Sequence, residues 1–154
     1  MTNSGRVALV TGAAGGIGRA TVAALIRDGF SVTAVDVALA ALPCAFGAPL
    51  QQVSADVTDE ADVARAVSDC VGHFGALDCV VHLAGVVGKG PLVDVAASDW
   101  RSLLEVNLTS AFLLAKASHE ALRARRGSLV LISSTNGLNG GSALSGPAYA
   151  VAKA

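Results

Sequence analysis

The last residues of the chain, AYAVAKA, place Tyr149 and Lys153 four positions apart. Residues with this spacing share one face of a helix, and the preceding SGP is typical of a helix start, with Pro147 near the first helical position. A tyrosine with a pKa of about 10 is a poor base at neutral pH, but a cation within a few ångströms lowers that pKa by about 1–3 units. The pair therefore suits proton transfer, although such a pair is also common on a plain surface helix.

A glycine-rich segment, TGAAGGIGRA, follows the first apolar run and precedes a helical pattern. Gly12, Gly16 and Gly18 permit a tight turn, close approach of the backbone to a pyrophosphate, and close packing of helix against sheet. The helix N-terminus around Ile17 would present N–H groups to the phosphates. In this context the segment predicts a dinucleotide-binding loop.

Carboxylates end the next two predicted strands. Asp36 lies 20 residues after Gly16, where a carboxylate binds the ribose 2′-hydroxyl of NAD and repels the 2′-phosphate of NADP. No Arg or Lys lies beside it, so we expect NAD. Asp56 and Val57 fall at the carboxyl edge of the sheet, where ligands of such folds bind. Asp56 either accepts a hydrogen bond from an adenine amino group or caps the following helix.

Short apolar runs alternate with helical patterns along the whole chain. The runs predict strands at 6–12, 31–37, 51–57, 77–85 and 127–134, and the patterns predict helices near 17–28, 60–74 and 99–125. This alternation predicts an α/β fold with right-handed crossovers and a doubly wound parallel sheet. We expect one domain over 1–154, incomplete at its C-terminus because five strands are present where a doubly wound dinucleotide fold uses six.

The long helical pattern near 99–125 carries an apolar face that also contains an amide. The apolar members are Trp100, Leu103, Leu104, Leu108, Ala111, Leu114 and Ala115. Asn107 lies on the same face, where an amide is costly unless it finds hydrogen-bond partners. Phe112 and Leu113 make other sides of the helix apolar, which indicates a second packing surface such as a subunit interface.

Composition excludes several classes of function. The chain is 53% hydrophobic and 15% charged, with a formal net charge of −1, so it lacks the basic footprint of a nucleic-acid or anionic-membrane protein. The apolar stretch around 32–50 contains Asp36 and Pro43 and is too short to span a membrane. Three cysteines without disulfide-like spacing favour a reducing cytoplasm.

One cluster has a spacing that resembles a zinc site. The segment CVGHFGALDCVVH contains Cys70, His73, Cys79 and His82. Cys79 and His82 are three apart on a predicted strand, so they point to opposite faces and cannot converge on one ion. We expect no metal site.

Several motifs together resemble one family. TGAAGGIG, ADV, HLAG, VN, ISS and YAVAK occur in the order found in short-chain dehydrogenases/reductases, and the resemblance covers essentially the whole chain. The segment VNLTSAFLLAKA is similar to the simple oxidoreductase branch. The resemblance implies a Rossmann-type fold and an NAD(H)-dependent transfer of hydride between nicotinamide and a secondary alcohol or ketone.

The resemblance also implies roles for individual residues. Tyr149 would be the general acid/base toward the substrate oxygen, and Lys153 would bind the nicotinamide ribose and lower the pKa of the tyrosine. Ser134 would hold the substrate oxygen, and Asn107 would anchor a water in a proton relay. The backbone at Ala84 and Gly85 would run close beside the bound cofactor.

Two departures from the family pattern leave alternatives open. The usual NNAG reads HLAG here, which puts the structural role of the first asparagine in doubt at His82 and is similar to the extended epimerase and dehydratase branch. The loop from 135 to 147 is about two residues longer than the commonest pattern, so the catalytic serine is Ser133 or Ser134, of which we prefer Ser134.

Three functions are thus consistent with the sequence. The first is the short-chain oxidoreductase, the second a non-catalytic NAD-binding fragment or module, and the third an extended-branch epimerase or dehydratase. Because the chain ends just after Lys153, we expect a truncated enzyme that is inactive by itself. The resemblance implies a homo-oligomer for the complete protein.

Overall fold

Five parallel strands form the sheet of the protein, which we describe from a computed structural model covering residues 5–39 and 49–154. The strands are β1 (Val7–Thr11), β2 (Ser31–Asp36), β3 (Leu50–Ser54), β4 (Cys79–His82) and β5 (Ser128–Leu131). They pair in the order β3-β2-β1-β4-β5. This order confirms the predicted Rossmann-type parallel sheet. Because every strand runs the same way, all carboxyl ends meet at one edge, where Thr11 lies between Val35 and His82.

Helices cover both faces of the sheet. They are α1 (Gly16–Arg27), α2 (Glu60–Phe74), α3 (Ala97–Leu104), α4 (Ser110–Arg125), α5 (Thr135–Asn139) and α6 (Gly146–Ala152). On one face α2 and α4 pack against the side chains of Val7, Leu9 and Val80. On the other face α1 packs against Val10 and Val32. Alternate residues of β1 thus point into two separate cores, which is the doubly wound arrangement.

Most predicted elements are present, with shorter strands than the sequence pattern indicated. Asp59 is the N-cap of α2 and accepts hydrogen bonds from Ala61 N and Asp62 N, as expected for an acidic residue there. Two elements were not predicted: α5, and a short 3-10 helix at Leu92–Asp94. The connection between β2 and β3 lies mostly outside the described residues.

The predicted helix near 99–125 is interrupted. A π-helical segment, Glu105–Thr109, separates α3 from α4. Each π-helical turn contains one more residue than an α-helical turn. The side chains from this turn onward are therefore rotated about the helix axis relative to their positions in a continuous α-helix. This rotation explains why the assignment of Leu108 to the apolar face was wrong: Leu108 is half exposed, whereas Leu113 is buried in the core beside Leu114.

The start of α6 agrees with the sequence, since Pro147 occupies its first turn. This helix packs on α3 through a third apolar cluster made of Leu103, Ala148 and Ala152, with Tyr149 at its margin. None of the helices in the described residues has both the length and the apolar character that crossing a bilayer requires.

Candidate functional site

The glycine-rich loop contains two positions that cannot carry a side chain, Gly12 and Gly18. Gly12 has φ +66°, and a Cβ there would lie 2.6 Å from Ala84 N. A Cβ on Gly18 would lie 2.8 Å from Ala13 Cα. A Cβ on Gly16, in contrast, would meet nothing within 4 Å, so this point of the loop faces open space. The turn and the close packing predicted for Gly12 and Gly18 are therefore present.

The N-terminus of α1 lies in the same loop. Its N-cap, Gly15, makes no side-chain capping hydrogen bond. The first intrahelical bond of this turn is donated by Arg19 N to Gly15 O, so Gly16, Ile17 and Gly18 precede the helical ladder. The N–H groups at such positions, together with the helix dipole, attract an anion.

Asp36 ends β2 beside this loop, as predicted. Its Oδ2 accepts a hydrogen bond of 2.9 Å from Ala14 N, and its Oδ1 accepts one of 3.0 Å from Ala38 N. The carboxylate therefore supports the glycine-rich loop as well as facing the adjoining space. The first of these contacts was not foreseen from the sequence.

Asp56 does not cap α2, because Asp59 fills that position. The Oδ1 of Asp56 instead accepts hydrogen bonds from both the backbone N and the Oγ1 of Thr58, at 2.9 and 2.7 Å. Asp56 and Val57 line a cleft that also includes Asp36.

This cleft, which we call the glycine-loop cleft, has a volume of about 380 Å³. Its lining residues are Gly12, Gly15, Asp36, Val37, Ala55, Asp56, Val57, Leu83, Ala84, Gly85, Val86 and Val106. All except Val106, which belongs to the π-helical segment, follow or end β1, β2, β3 and β4, and this edge is where ligands of open α/β sheets bind. The cleft brings together most of the residues that the sequence assigned to the cofactor.

The amide of Asn107 finds the partners that its burial demands. Its Nδ2 donates to Val86 O at 2.9 Å and to Leu103 O at 3.0 Å, and its Oδ1 accepts from Val86 N at 3.2 Å. Asn107 lies inside the π-helical segment, where the widened turn leaves the carbonyl of Leu103 available to a side chain. The residue therefore ties the helix to the backbone that follows β4.

Gly85 marks the point where Asn107 and Lys153 approach each other. A Cβ at Gly85 would lie 2.9 Å from Asn107 Oδ1 and 3.8 Å from Lys153 Nζ. Lys153 Nζ donates a hydrogen bond of 3.0 Å to Ile132 O. Partial burial lowers the pKa of the Lys153 ammonium below its usual value. An amide oxygen from the π-helical segment and a cation from the end of α6 thus both lie close to Gly85, which is one of the residues that line the cleft.

The two candidate serines have different partners. Ser133 Oγ donates to Lys153 O at 2.7 Å. Ser134 is the N-cap of α5, and its Oγ accepts from Asn136 N at 3.2 Å. The hydroxyl of Ser133 therefore donates its proton to a backbone carbonyl. The hydroxyl of Ser134 only accepts in its contact with Asn136 N.

His82, which stands where the family has an asparagine, is buried and hydrogen-bonded through both ring nitrogens. Nδ1 lies 2.7 Å from Thr11 Oγ1, and Nε2 lies 2.9 Å from Ser110 Oγ. Burial, with a smaller contribution from the charge of Lys153, lowers the pKa of His82 from its usual 6.5 to about 4. Thr11 and Ser110 were not among the residues predicted from the sequence, although both are hydroxyl residues in otherwise apolar, buried segments.

The residues whose spacing resembles a zinc site, Cys70, His73, Cys79 and His82, do not form one cluster in the structure. His82 faces Thr11 and Ser110, and His73 makes an edge contact with Phe74 at 4.5 Å between ring centroids. Burial raises the pKa of the Cys70 thiol. Among residues 5–39 and 49–154, no group of three or more potential ligands could hold a metal ion.

A larger cavity of about 710 Å³, which we call the side cavity, adjoins the glycine-loop cleft. The two share Val86 and Val106 in their linings. The other side-cavity residues are Val87, Gly88, Lys89, Gly90, Asp94, Val95, Asp99, Ser102, Leu103, Gly146, Pro147 and Ala148. Its wall is mainly apolar, with three charged residues among these.

Comparison with known proteins identifies the family. Residues 6–154 match the short chain dehydrogenase family. The chain belongs to the short-chain dehydrogenase family. A 3-alpha-(or 20-beta)-hydroxysteroid dehydrogenase of Mycobacterium tuberculosis is 36% identical over 140 residues, covering 88% of this chain and 54% of that protein. An L-fucose dehydrogenase of Oryctolagus cuniculus is 37% identical over 158 residues, covering 97% of this chain and 53% of that protein.

A solved structure supports the same assignment for this short-chain dehydrogenase. The structure, from Burkholderia xenovorans and described as a short-chain dehydrogenase/reductase, superposes with a TM-score of 0.88 at 37% identity. The match covers 96% of this chain and 63% of that chain. The chain spans about half the length of the curated relatives it matches, and it has the fold of the solved structure over the matched length.

Proposed function

We propose that this protein is an NAD(H)-dependent oxidoreductase that transfers hydride between nicotinamide and a secondary alcohol or ketone. The observation that carries the proposal is the approach of Asn107 Oδ1 and Lys153 Nζ around Gly85, at one end of the glycine-loop cleft. A cleft fit for a dinucleotide thus ends beside groups fit for proton transfer.

The residues of the cleft fit a nicotinamide dinucleotide, the cofactor type used by the family. Gly16, Ile17 and Gly18 would hold the pyrophosphate, because the open space at Gly16 admits it and the start of α1 attracts its charge. Asp56 and Val57 would border the adenine. Ala84 and Gly85 would lie against the nicotinamide half. When bound, the cofactor supplies or accepts the hydride.

Asp36 supports the choice of NAD over NADP. Its carboxylate lies in the cleft wall at the end of β2, held there by Ala14 N and Ala38 N. A carboxylate in this place accepts hydrogen bonds from ribose hydroxyls and repels a 2′-phosphate.

Tyr149 and Lys153 would carry the proton chemistry. Tyr149 packs beside Leu103 and Ala148, which fixes its ring, and it precedes Lys153 by one helical turn. In the proposed reaction the Tyr149 hydroxyl gives a proton to the ketone oxygen or takes one from the alcohol. The Lys153 ammonium would bind the nicotinamide ribose. Asn107 would anchor a water on the path to solvent.

Ser134 rather than Ser133 would hold the substrate oxygen. The proton of Ser133 is donated to Lys153 O, so this serine instead fixes the end of α6. The contact of Ser134 with Asn136 N leaves its proton for a substrate oxygen. The apolar wall of the side cavity would receive an uncharged part of the substrate.

Replacing Tyr149 by Phe tests the proposal. The ring keeps its packing on Leu103 and Ala148, so the variant loses only the hydroxyl. We expect NADH binding to persist while oxidation of secondary alcohols, surveyed over hydroxysteroids and sugars, falls by a factor of about 10² or more. Asn139→Ala, in the exposed α5 turn, is the control and should retain both properties.

Two results would contradict the proposal. Undiminished turnover in Tyr149→Phe would remove the tyrosine from the chemistry. NADH binding with no oxidation of any alcohol, either by this chain or by one extended to the length of its relatives, would favour the alternative of a non-catalytic NAD-binding module.

A further inference from the structure

His82 lies at the centre of a buried chain of hydrogen bonds between the glycine-rich loop and α4. The distances are 2.7 Å from its Nδ1 to Thr11 Oγ1 and 2.9 Å from its Nε2 to Ser110 Oγ. Ser110 Oγ is in turn 2.6 Å from Val106 O, and Ala84 N lies 3.4 Å from Thr11 Oγ1. His82, Thr11 and Ser110 are all almost completely buried.

The partners at the two ends fix the direction of every bond. A carbonyl can only accept, so Ser110 must donate its one proton to Val106 O. Ser110 then has only lone pairs to offer to the ring, and Nε2 must carry the ring proton. A neutral imidazole has no proton on its other nitrogen, so Nδ1 accepts from Thr11 Oγ1, which itself accepts from Ala84 N.

The chain joins the elements that hold the candidate site. Thr11 is the last residue of β1 and precedes Gly12, and Ser110 is the first residue of α4, directly after the π-helical segment that contains Asn107. Asn107 is also tied to Val86, four residues beyond His82. One ring thus connects the cofactor loop, the end of β4 and the helix turn that carries the amide.

We propose that His82 is a positioning residue: as a neutral imidazole with its proton on Nε2, it holds the Asn107 turn in register with the glycine-rich loop. Any buried imidazole needs partners at its nitrogens; here each partner lies on an element that holds the candidate site, Thr11 at the end of β1 and Ser110 at the start of α4. The expected effect of His82 on catalysis rests on the proposed function, whereas the position and tautomer of the His82 ring do not.

Nuclear magnetic resonance of the ¹⁵N-labelled chain tests the structural part without any substrate. We expect His82 at pH 7 to show one neutral tautomer, protonated on Nε2. Ser110→Ala, which removes the ring's partner together with the bond to Val106 O, should move the side-chain amide resonances of Asn107. The matched control is Ser118→Ala, because Ser118 is also buried in α4 and donates to the carbonyl four residues earlier, Leu114 O, at 2.7 Å.

The kinetic arm uses the same pair of variants. With Asn107 misplaced, we expect kcat in Ser110→Ala to fall roughly ten- to a hundredfold while the dissociation constant of NADH changes little, and Ser118→Ala to match the unaltered protein. His82→Phe, which keeps a ring but loses both bonds, should behave as Ser110→Ala does.

Distinct results would overturn the inference. A proton on Nδ1 at pH 7, or Asn107 resonances that respond no more to Ser110→Ala than to Ser118→Ala, would show that His82 does not position this turn. If the protein catalysed no hydride transfer, the proposed function would fail while the resonance data still decided the role of His82.

Discussion

At Gly85 the absence of a side chain lets two functional groups approach one point. A methyl group there would come within 2.9 Å of Asn107 Oδ1, closer than a carbon and an oxygen normally pack, and within 3.8 Å of Lys153 Nζ. Because Asn107 is held by Val86 and Leu103, it cannot move without losing buried hydrogen bonds.

Gly85→Ala should therefore destabilise the protein by about 1–3 kcal/mol and weaken NADH binding. Gly72→Ala is the control: Gly72 lies within α2, and a Cβ there would meet nothing within 4 Å. We expect this change to stabilise the protein by about 0.5–1 kcal/mol, because alanine loses less conformational entropy in a helix. Urea denaturation of both variants measures the difference, and equal effects on stability would contradict the account.

Much of the site at residue scale could be predicted from the sequence. The spacing of Gly12 and Gly18 required a turn and close packing, and Asn107 on an apolar face required partners, because elementary sterics and desolvation act whatever the rest of the fold does. The chain Thr11–His82–Ser110 could not be predicted, since its members lie on three elements and meet only after the sheet has formed. The hydrogen bond from Ser133 Oγ to Lys153 O could not be predicted either, because these residues are 20 positions apart and meet only in the folded chain.

At the scale of elements, the break between α3 and α4 depends on one amide. Asn107 makes three hydrogen bonds, two as donor and one as acceptor, all to backbone groups. The sequence predicted one continuous helix because its apolar pattern has no glycine or proline to interrupt it. A π-helical turn that is stabilised by the hydrogen bonds of one side chain needs neither glycine nor proline. Its position therefore depends on tertiary contacts and cannot be read from the composition.

Asn107→Ala should cost about 2–4 kcal/mol in free energy of unfolding, because it leaves Val86 and Leu103 backbone groups buried without their partner. Asn139→Ala is the comparison, since Asn139 makes one exposed bond to Gly141 N, and we expect a cost below about 0.5 kcal/mol. Thermal or urea denaturation gives both values. If Asn107→Ala were as mild as Asn139→Ala, the amide would not hold the helix break.

At the scale of the whole molecule, the doubly wound parallel sheet could be predicted from the alternation of strands and helices, since crossovers between parallel strands have one hand. The lengths of the strands did not follow, because apolar residues continue past the last ladder bond. β5 lies at the sheet edge, and its residues Val130 and Leu131, with Ile132 directly after it, are 42–51% exposed. These residues extend the apolar pattern of the sequence, although β5 pairs with a neighbour, β4, on one side.

The stability of the folded chain should depend on pH through His82. The unfolded chain binds a proton on this histidine below about pH 6.5, whereas the lowered pKa keeps the folded form neutral down to about 4. Stability therefore decreases as the pH falls through this window, by about 3 kcal/mol in full. Denaturation midpoints between pH 7 and 4 should fall less steeply in His82→Phe than in the unaltered protein or in Ser118→Ala. Parallel slopes in all three would contradict the assignment.

The central claim is that the glycine-loop cleft binds NAD and that Asp36 selects it. The most direct measurement is a fluorescence titration of NADH and NADPH into the chain and into Asp36→Asn, which keeps an acceptor oxygen for Ala14 N but removes the charge. Asp28→Asn, at the exposed far end of α1, is the control.

We predict saturable binding of NADH, weaker binding of NADPH, and a loss of roughly tenfold or more in the preference on Asp36→Asn, with no loss on Asp28→Asn. The account would be contradicted if neither nucleotide bound, or if the preference were the same in Asp36→Asn as in the unaltered chain.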